Sequence, residues 1–362
     1  MAQQPKPGRR PTLAVIAKAA GTSVPTVSKA LRAGTDVAPE TRERIVRVAT
    51  TLGYWPTASS AKPRTSERRV IDLIVNNIEG TWVTAIIKGV SRVAERLDID
   101  VAIRQPSTDR DWIGRLIAHR SYGVISASLA LARAERSRLA SAGIPVVALD
   151  PNQRPDSDLA SVGAMNWEGG RTAGEHLLGL GHHRFAVLDV DVSYLYSRAR
   201  LDGFRSALSD AGIELTDDLI FHAGFDRAVA RDHANGFLAA RDRPTGVFAC
   251  TEGLAFGVYD AAAEKGIRIP DELSVVGFDD LPDASTANPP MTTVRQPFTE
   301  IGGAAVRMLV RLKDRPDDET PVPREELATQ LVVRRSTAPA PVDASTRGAT
   351  KRRKPARTTV EG

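Results

Sequence analysis

The chain has 362 residues, 42% of them hydrophobic, and a formal net charge of +5; it is too long for one ordinary core and predicts two or three domains. It has no run of about 18 apolar residues to span a bilayer, and its start, MAQQPKPGRRPTL, lacks the apolar stretch of a secretory signal. The single Cys250 excludes an intrachain disulfide and an all-cysteine metal site, so the composition describes a cytoplasmic protein without membrane association, redox carrier, cofactor or metal.

The charge is uneven along the chain. Residues 1–69 hold thirteen Lys and Arg against four acids, a net of +9; residues 70–337 come to −8, and the tail from Ala338 to +4. A basic front on an acidic body is the pattern expected of one module dedicated to neutralising phosphates, although a solvated basic arm gives the same count.

Residues 1–11 form a basic arm, predicted to be disordered. Thr12 then caps a predicted helix with Leu13, Ile16, Ala17 and Ala20 on one face, and Gly21 supplies a sharp turn. Ser23 is the expected N-cap of a second helix from Val24 to Leu31, with Val24, Val27 and Leu31 inward and Thr26, Ser28 and Lys29 outward; Pro25 is tolerated in the first turn. A third helix starts near Pro39, turns Ile45, Val48, Ala49 and Leu52 inward, and ends at Gly53. Two short helices across a tight turn, packed under a third, are the arrangement that presses a recognition helix into the major groove. Residues 12–56 are therefore expected to be a helix-turn-helix domain and 57–69 a linker.

From Val70 to Thr337, short β-rich apolar runs alternate with amphipathic stretches, the pattern of parallel α/β layers. VIDLIV, DVAIR, YGVISAS and PVVAL alternate with helical segments in a first set. The helix WEGGRTAGEHLLGLG opens a second, containing RFAVLDV, a strand near Asp218 to His222, TGVFAC and SVVGF, before TTVRQPFTEIGGAAVRMLVRL crosses back. Two doubly wound lobes follow, the first at about 70–164 and 296–325, the second at about 165–294 and 326–337. Ligands of such sheets bind in the cleft at the carboxyl ends of the strands. Residues 338–362 are rich in Pro, Ala, Ser, Thr and basic residues and are expected to be a disordered basic tail.

TLAVIAKAAGTSVPTVSKAL and VAPETRERIVRVATTLGYWP resemble the DNA-binding headpiece of the lactose-repressor (LacI) family, and IPDELSVVGFDDLPDASTANPPMTTVRQP, VVALDP, GLGHHRF and ARLDGF extend the resemblance to the family's two-lobed body, which is similar to periplasmic sugar-binding proteins. The resemblance implies an allosteric repressor: a homodimer on a pseudopalindromic operator in double-stranded DNA, controlled by a small molecule held between the lobes. It carries the base-reading pair onto Val24 and Pro25 and a later basic reader onto Lys29. Thr12, Ser23, Thr26 and Ser28 suit phosphate contacts that fix register. Val24 and Pro25 offer only apolar contact, while Lys29 suits a guanine edge. A hinge falls on residues such as Ala58 and Ser60, with Pro63 in place of the family's wedging leucine; proline breaks a helix yet itself can wedge a minor groove.

Effector contacts carried over from the resemblance are Trp82, Asp150, Arg200, Phe225, Thr251, Asp279 and Gln296. Thr251-Glu252 stands where the family carries Asn-Asp. A carboxylate accepting from adjacent hydroxyls, directed donors from Arg200 and Gln296, and an aromatic cover suit a mono- or oligosaccharide. Arg200 could instead be a structural ion pair, and Trp82 and Phe225 core aromatics. Asp279-Asp280 reads as one ligand contact plus one cap in preference to a catalytic pair, and His182-His183 as turn residues in preference to metal ligands. No catalytic residue is expected. A solute-binding protein of a transport system is the alternative function and a sugar-modifying enzyme the third.

Overall fold

The computed structural model describes residues 11–31, 37–54, 69–106, 111–127, 129–152, 159–191, 193–314 and 322–341. They belong to two compact units, divided between Arg68 and Arg69.

The first unit is helical, with α1 at Leu13–Ala19, α2 at Val24–Leu31 and α3 at Pro39–Thr51. Ile16, Ala17, Ala20, Val27, Ala30, Ile45 and Ala49 form its core, and burying each of the larger aliphatic side chains contributes about 1.5–3 kcal/mol. Gly21 makes the turn between α1 and α2 at φ +61°, a conformation that costs a glycine little. Ser23 caps α2, its Oγ accepting from the Thr26 amide at 3.3 Å. Two expectations are corrected. Thr12 stands at the N-cap position of α1 without a side-chain cap hydrogen bond. Val24 does not face inward: it is 41% exposed, and Ala30 fills the core beside Val27, because position 24 opens the helix where its side chain precedes the first packed turn.

The second unit contains two six-stranded sheets. In the first lobe β1 (Val70–Val75), β2 (Asp100–Arg104), β3 (Gly123–Ala127), β4 (Val146–Leu149) and β5 (Ala160–Ala164) are joined by α4 (Thr81–Arg96), α5 (Trp112–Ala118) and α6 (Arg133–Ser141). The second lobe runs α7 (Asn166–Gly179), β6 (Phe185–Asp189), α8 (Leu195–Asp210), β7 (Ile220–His222), α9 (Arg227–Leu238), β8 (Gly246–Ala249), α10 (Glu252–Glu264), β9 (Ser274–Asp279), α11 (Pro282–Thr286) and β10 (Thr292–Arg295). The chain then returns to the first lobe as α12 (Phe298–Lys313) and β11 (Arg324–Leu327), and ends in the second with β12 (Gln330–Val332). The orders are β2-β1-β3-β4-β5-β11 and β7-β6-β8-β9-β10-β12, with β12 the one antiparallel member. In each lobe the order reverses beside its first strand, between β1 and β3 and between β6 and β8, which is where doubly wound sheets open a crevice.

Each strand set is covered on both faces, as parallel sheets require. Ile71, Leu73, Ile86, Val90, Ile301 and Leu309 lie in the core under α4 and α12; α9 and α10 cover one face of the second sheet, and α7 and α8 the other. The strand β5 and helix α9 were not among the sequence-predicted elements; ASVGA carries one β-branched residue, so its strand character comes from burial between β4 and β11. Two boundaries also move. Strand β11 pairs with β5 through Leu327, so the last crossing falls after residue 327, later than the expected 325. The backbone from Ala338 to Ala340 is docked on the second lobe, with Ala338 N–H donating to Ser274 Oγ and Ala340 N–H to the Leu180 carbonyl; those residues are structured, not part of a loose tail.

Candidate effector cleft and nucleic-acid interface

On the helical unit, Ser23, Val24, Pro25 and Lys29 are exposed along one side of α2, while Thr26 and Ser28 are half-buried and Thr12 is exposed before α1. Ser23 and Thr26 share a hydroxyl hydrogen bond of 2.7 Å. The start of α2 thus presents an apolar Val24-Pro25 step flanked by hydroxyls, one helical turn from a lysine. Ala58, Ser60 and Pro63 lie outside the described residues.

In the second unit the site begins with a contact between helices. A β-carbon on Gly170 of α7 would stand 1.9 Å from the Arg200 carbonyl oxygen of α8, and one on Gly203 would stand 1.9 Å from that of Trp167. Only glycine permits so close a crossing. It seats Arg200 between the helices, 3% exposed. Arg200 Nε donates to Asn166 Oδ1 at 2.8 Å and Nη1 to the Cys250 carbonyl at 2.5 Å, with Asp279 Oδ1 3.5 Å from Nη1. The guanidinium lies 3.8 Å from the centre of the Phe278 ring and 5.2 Å from that of Tyr196, so the cation is held by rings as well as by oxygens.

Asp279 ends β9 at φ +119° and Asp280 follows at φ +59°. The two carboxylates diverge. Asp279 accepts from Gln296 Nε2 at 2.6 Å, whereas Asp280 is bound by Arg295 and Arg334, each at 2.6 Å, and serves as a structural ion-pair node. Burial pushes the Asp279 carboxyl up to about 6, against the lowering influence of Arg200 and Gln296 and with the neighbouring charge of Asp150 adding to the rise. Gln296 Oε1 is buried without a hydrogen-bond partner.

The first lobe contributes Asp150, which follows β4 at φ +37°. Its Oδ1 accepts from the Ala164 amide at 3.1 Å and from Asn166 Nδ2 at 3.3 Å; burial raises its pKa and the Arg200 charge opposes that rise. Because Asn166 Oδ1 accepts from Arg200, one asparagine connects the first-lobe carboxylate to the second-lobe guanidinium, and a hydrogen-bonded row runs Asp150, Asn166, Arg200, with Asp279 and Gln296 beyond.

The other sequence-predicted contacts are more dispersed. Thr251 is the N-cap of α10, its Oγ1 accepting from the Leu254 amide at 3.4 Å. Trp82 sits in the first turn of α4, half-buried against Phe298 at a ring separation of 6.3 Å and packed on the first-lobe core. Phe225 is the opposite case, 65% exposed with its edge contact to Tyr194 at 5.7 Å.

Three participants escaped the sequence reading. Asn166 is a polar residue at a helix start, and nothing in the sequence indicates that it spans two residues sixteen and thirty-four positions away. Tyr196, one turn before Arg200 on α8, has a hydroxyl whose pKa is raised by burial. Glu252, 2% exposed, accepts from the Leu281 amide at 3.0 Å and from Thr293 Oγ1 at 3.1 Å. It clamps the loop that follows Asp280; burial, and next the charge of Asp279, push its carboxyl up to about 8. Its signal was only that glutamate stands where the resembled family carries aspartate.

His182 lies in the expected turn between α7 and β6, its amide donating to the Leu177 carbonyl, but its ring is turned into the lobe. It is 1% exposed, with Nδ1 3.0 Å from Thr245 Oγ1 and Nε2 3.0 Å from Ser274 Oγ, and burial lowers its pKa. Among the described residues no cluster of three or more His, Cys, Asp and Glu could hold a metal, and no helix is long and apolar enough to cross a membrane.

Residues 12–57 match the family model of bacterial regulatory proteins of the lacI family, and residues 175–337 that of the periplasmic binding protein-like domain. Over 333 residues the chain is 30% identical to the HTH-type transcriptional repressor PurR of Mannheimia succiniciproducens, covering 90% of this chain and 98% of that protein. It is also 30% identical to the HTH-type transcriptional regulator DegA of Bacillus subtilis, over 91% of this chain and 98% of the relative. Among solved structures it is similar to the transcriptional regulator CelR in complex with cellobiose, with a TM-score of 0.67, 29% identity and coverage of 90% of this chain and 100% of that one. The Lac repressor bound to ONPG in its repressed state gives a TM-score of 0.71 at 25% identity, over 91% of this chain and 100% of the other. The basic helix-turn-helix, the paired doubly wound lobes and these matches lead to one conclusion: the chain belongs to the LacI family of bacterial transcriptional regulators.

Proposed function

We propose that this regulator is a repressor of carbohydrate-utilisation genes, acting as a homodimer on a pseudopalindromic operator and controlled by a sugar bound between its lobes. The observation that carries the sugar reading is the polar row at the strand ends. It joins a carboxylate of one lobe to a guanidinium, a carboxylate and an amide of the other through Asn166, with an orphaned acceptor on Gln296. Alternating acceptors and donors beside exposed aromatic surface suit a ring bearing vicinal hydroxyls. The relative CelR, solved with cellobiose, supports the same class.

Effector binding acts through the lobes. Asp150 belongs to the first and Arg200 to the second, so a ligand that replaces the Asn166 bridge with its own hydroxyls changes the relative stability of lobe arrangements, and that difference is what a coupled DNA site reads. Lys29 and the Val24-Pro25 step read bases, while Thr12, Ser23, Thr26 and Ser28 hold phosphates; Ala58, Ser60 and Pro63 form the connection.

A thermal-shift screen of sugars, followed by fluorescence anisotropy on an operator selected from random duplexes, tests this function. Asp279→Ala is expected to abolish sugar-dependent release while operator affinity stays within about two-fold of wild type. Normal release by the variant moves the effector site elsewhere, and stabilisation by purines with none by sugars overturns the effector class.

A further inference from the structure

The carboxyl edge of the second-lobe sheet carries a polar pair that the Asp279–Arg200 cluster does not use. Asp189 ends β6 and is fully buried; its Oδ1 stands 2.5 Å from Nδ1 of His222, the last residue of β7. Asp189 Oδ2 has no hydrogen-bond partner, and burial raises the carboxyl's pKa. The imidazole is 53% exposed. Held by the Asp189 carboxyl through Nδ1, the ring is oriented, so Nε2 is the nitrogen left to meet a ligand. A half-exposed histidine held by a fully buried carboxylate at the end of a sheet is the construction of a binding group more than of a packing residue, which would bury the ring and expose the acid.

The pair also has aromatic cover. Phe225, three residues after His222, exposes most of its ring, with Tyr194 at 5.7 Å and Tyr196 a further 5.6 Å beyond Tyr194. These rings lead from the β7 end towards Arg200, above which Tyr196 sits. Along the edge, the order β9-β8-β6-β7 puts His222 three strands from Asp279, about 14 Å at the usual interstrand spacing. That span exceeds one pyranose ring and suits two linked rings, and it crosses the β6–β8 reversal where the crevice opens.

We propose that Asp189 and His222, with Phe225 and Tyr194 as the platform, form a second sugar subsite, and that the effector is a disaccharide: one ring on Asp279, Arg200 and Gln296, the other stacked on Phe225 with a hydroxyl hydrogen-bonded to His222 Nε2. This rests on the sugar reading of the cleft. His222 touches the ligand in this arrangement, and Asp189 is a positioning residue acting through it.

Calorimetric titration of the full-length protein with a panel of hexoses and pentoses, and with the disaccharides built from them, tests the subsite. Wild type is expected to bind at least one disaccharide ten-fold or more tightly than its component monosaccharides. His222→Ala is expected to remove that advantage and leave monosaccharide affinity within two-fold. Asp189→Asn is expected to weaken disaccharide binding in the wild-type background and to have no further effect beside His222→Ala, a coupling that a merely structural carboxylate would not produce. A monosaccharide bound as tightly as every disaccharide, or an undiminished preference in His222→Ala, overturns the second subsite and leaves the sugar reading standing. Absence of binding by the whole panel overturns both.

Discussion

Replacing Arg200 with methionine tests the central electrostatic feature of the cleft without requiring the effector. The thioether chain preserves apolar bulk against Phe278 but removes the cation, and with it the donors to Asn166 and the Cys250 carbonyl. Asp279 and Asp150 each lose the positive charge that now lowers their pKa values, so both rise further. Removing one partner of a buried charged network costs about 3–5 kcal/mol. The 3.5 Å separation from Asp279, a contact longer than a well-formed ion pair, places this case at the lower end, about 3 kcal/mol.

The sign of the pH dependence follows from the same groups. A carboxyl whose folded pKa exceeds its unfolded value binds protons more tightly in the native state, so its contribution is fully present below the unfolded pKa and is lost as pH rises through the folded one. In wild type the Asp279 contribution is lost between about 4 and 6. In Arg200→Met the window widens upward, so the stability gap between the two proteins must grow from pH 5 to pH 8. Urea unfolding at both pH values, analysed by midpoint and slope, measures that gap. A gap that is constant with pH, or below about 1 kcal/mol at pH 8, would falsify the assignment of Arg200 as the counter-charge of the two carboxylates.

Other outcomes are equally specific. Glu252→Gln removes a carboxyl whose folded pKa of about 8 makes native stability decline as pH rises from about 4.5 to 8; the variant is expected to show a flatter decline in melting temperature across that range, and an unchanged profile refutes the role given to Glu252. Gly170→Ala drives a β-carbon into the Arg200 carbonyl and is expected to destabilise by about 3 kcal/mol or more, the upper part of the overpacking range. Gly179→Ala on the same helix meets nothing within 4 Å and is expected to be neutral or stabilising in the same thermal melt. Lys29→Ala is expected to weaken specific operator binding by about 1–3 kcal/mol and to relax discrimination at one base step; competition with single-substituted duplexes reads this, and an unaltered base preference refutes a guanine contact.

Local pattern was enough to identify the helix-turn-helix and the alternating α/β body. Ile16, Val27 and Ile45 recur at helical spacing whatever surrounds them, and runs such as VIDLIV have few alternatives to a buried strand. Motif likeness further indicated Asp150, Arg200, Asp279 and Gln296 as residues of one site. Val24 was misplaced inward because a hydrophobic residue at a helix start satisfies the same periodicity whether it packs or projects.

What periodicity could not reach were contacts made across long sequence separations. Asn166 gains its role only when Asp150 and Arg200 arrive on either side of it, Glu252 only when the Asp280 loop folds over it, and His182 only when Thr245, Ser274 and Ala338 enclose its ring. The pairing of Asp189 with His222 depends on β6 and β7 becoming neighbours. A sequence states which groups are available; which donor meets which acceptor, and which charge loses its water, is decided by strand order and helix crossing. That is why candidate cleft residues such as Asp150, Arg200, Asp279 and Gln296 could be named from the chain, while their hydrogen-bond partners and the second polar pair at the sheet edge came from the tertiary structure.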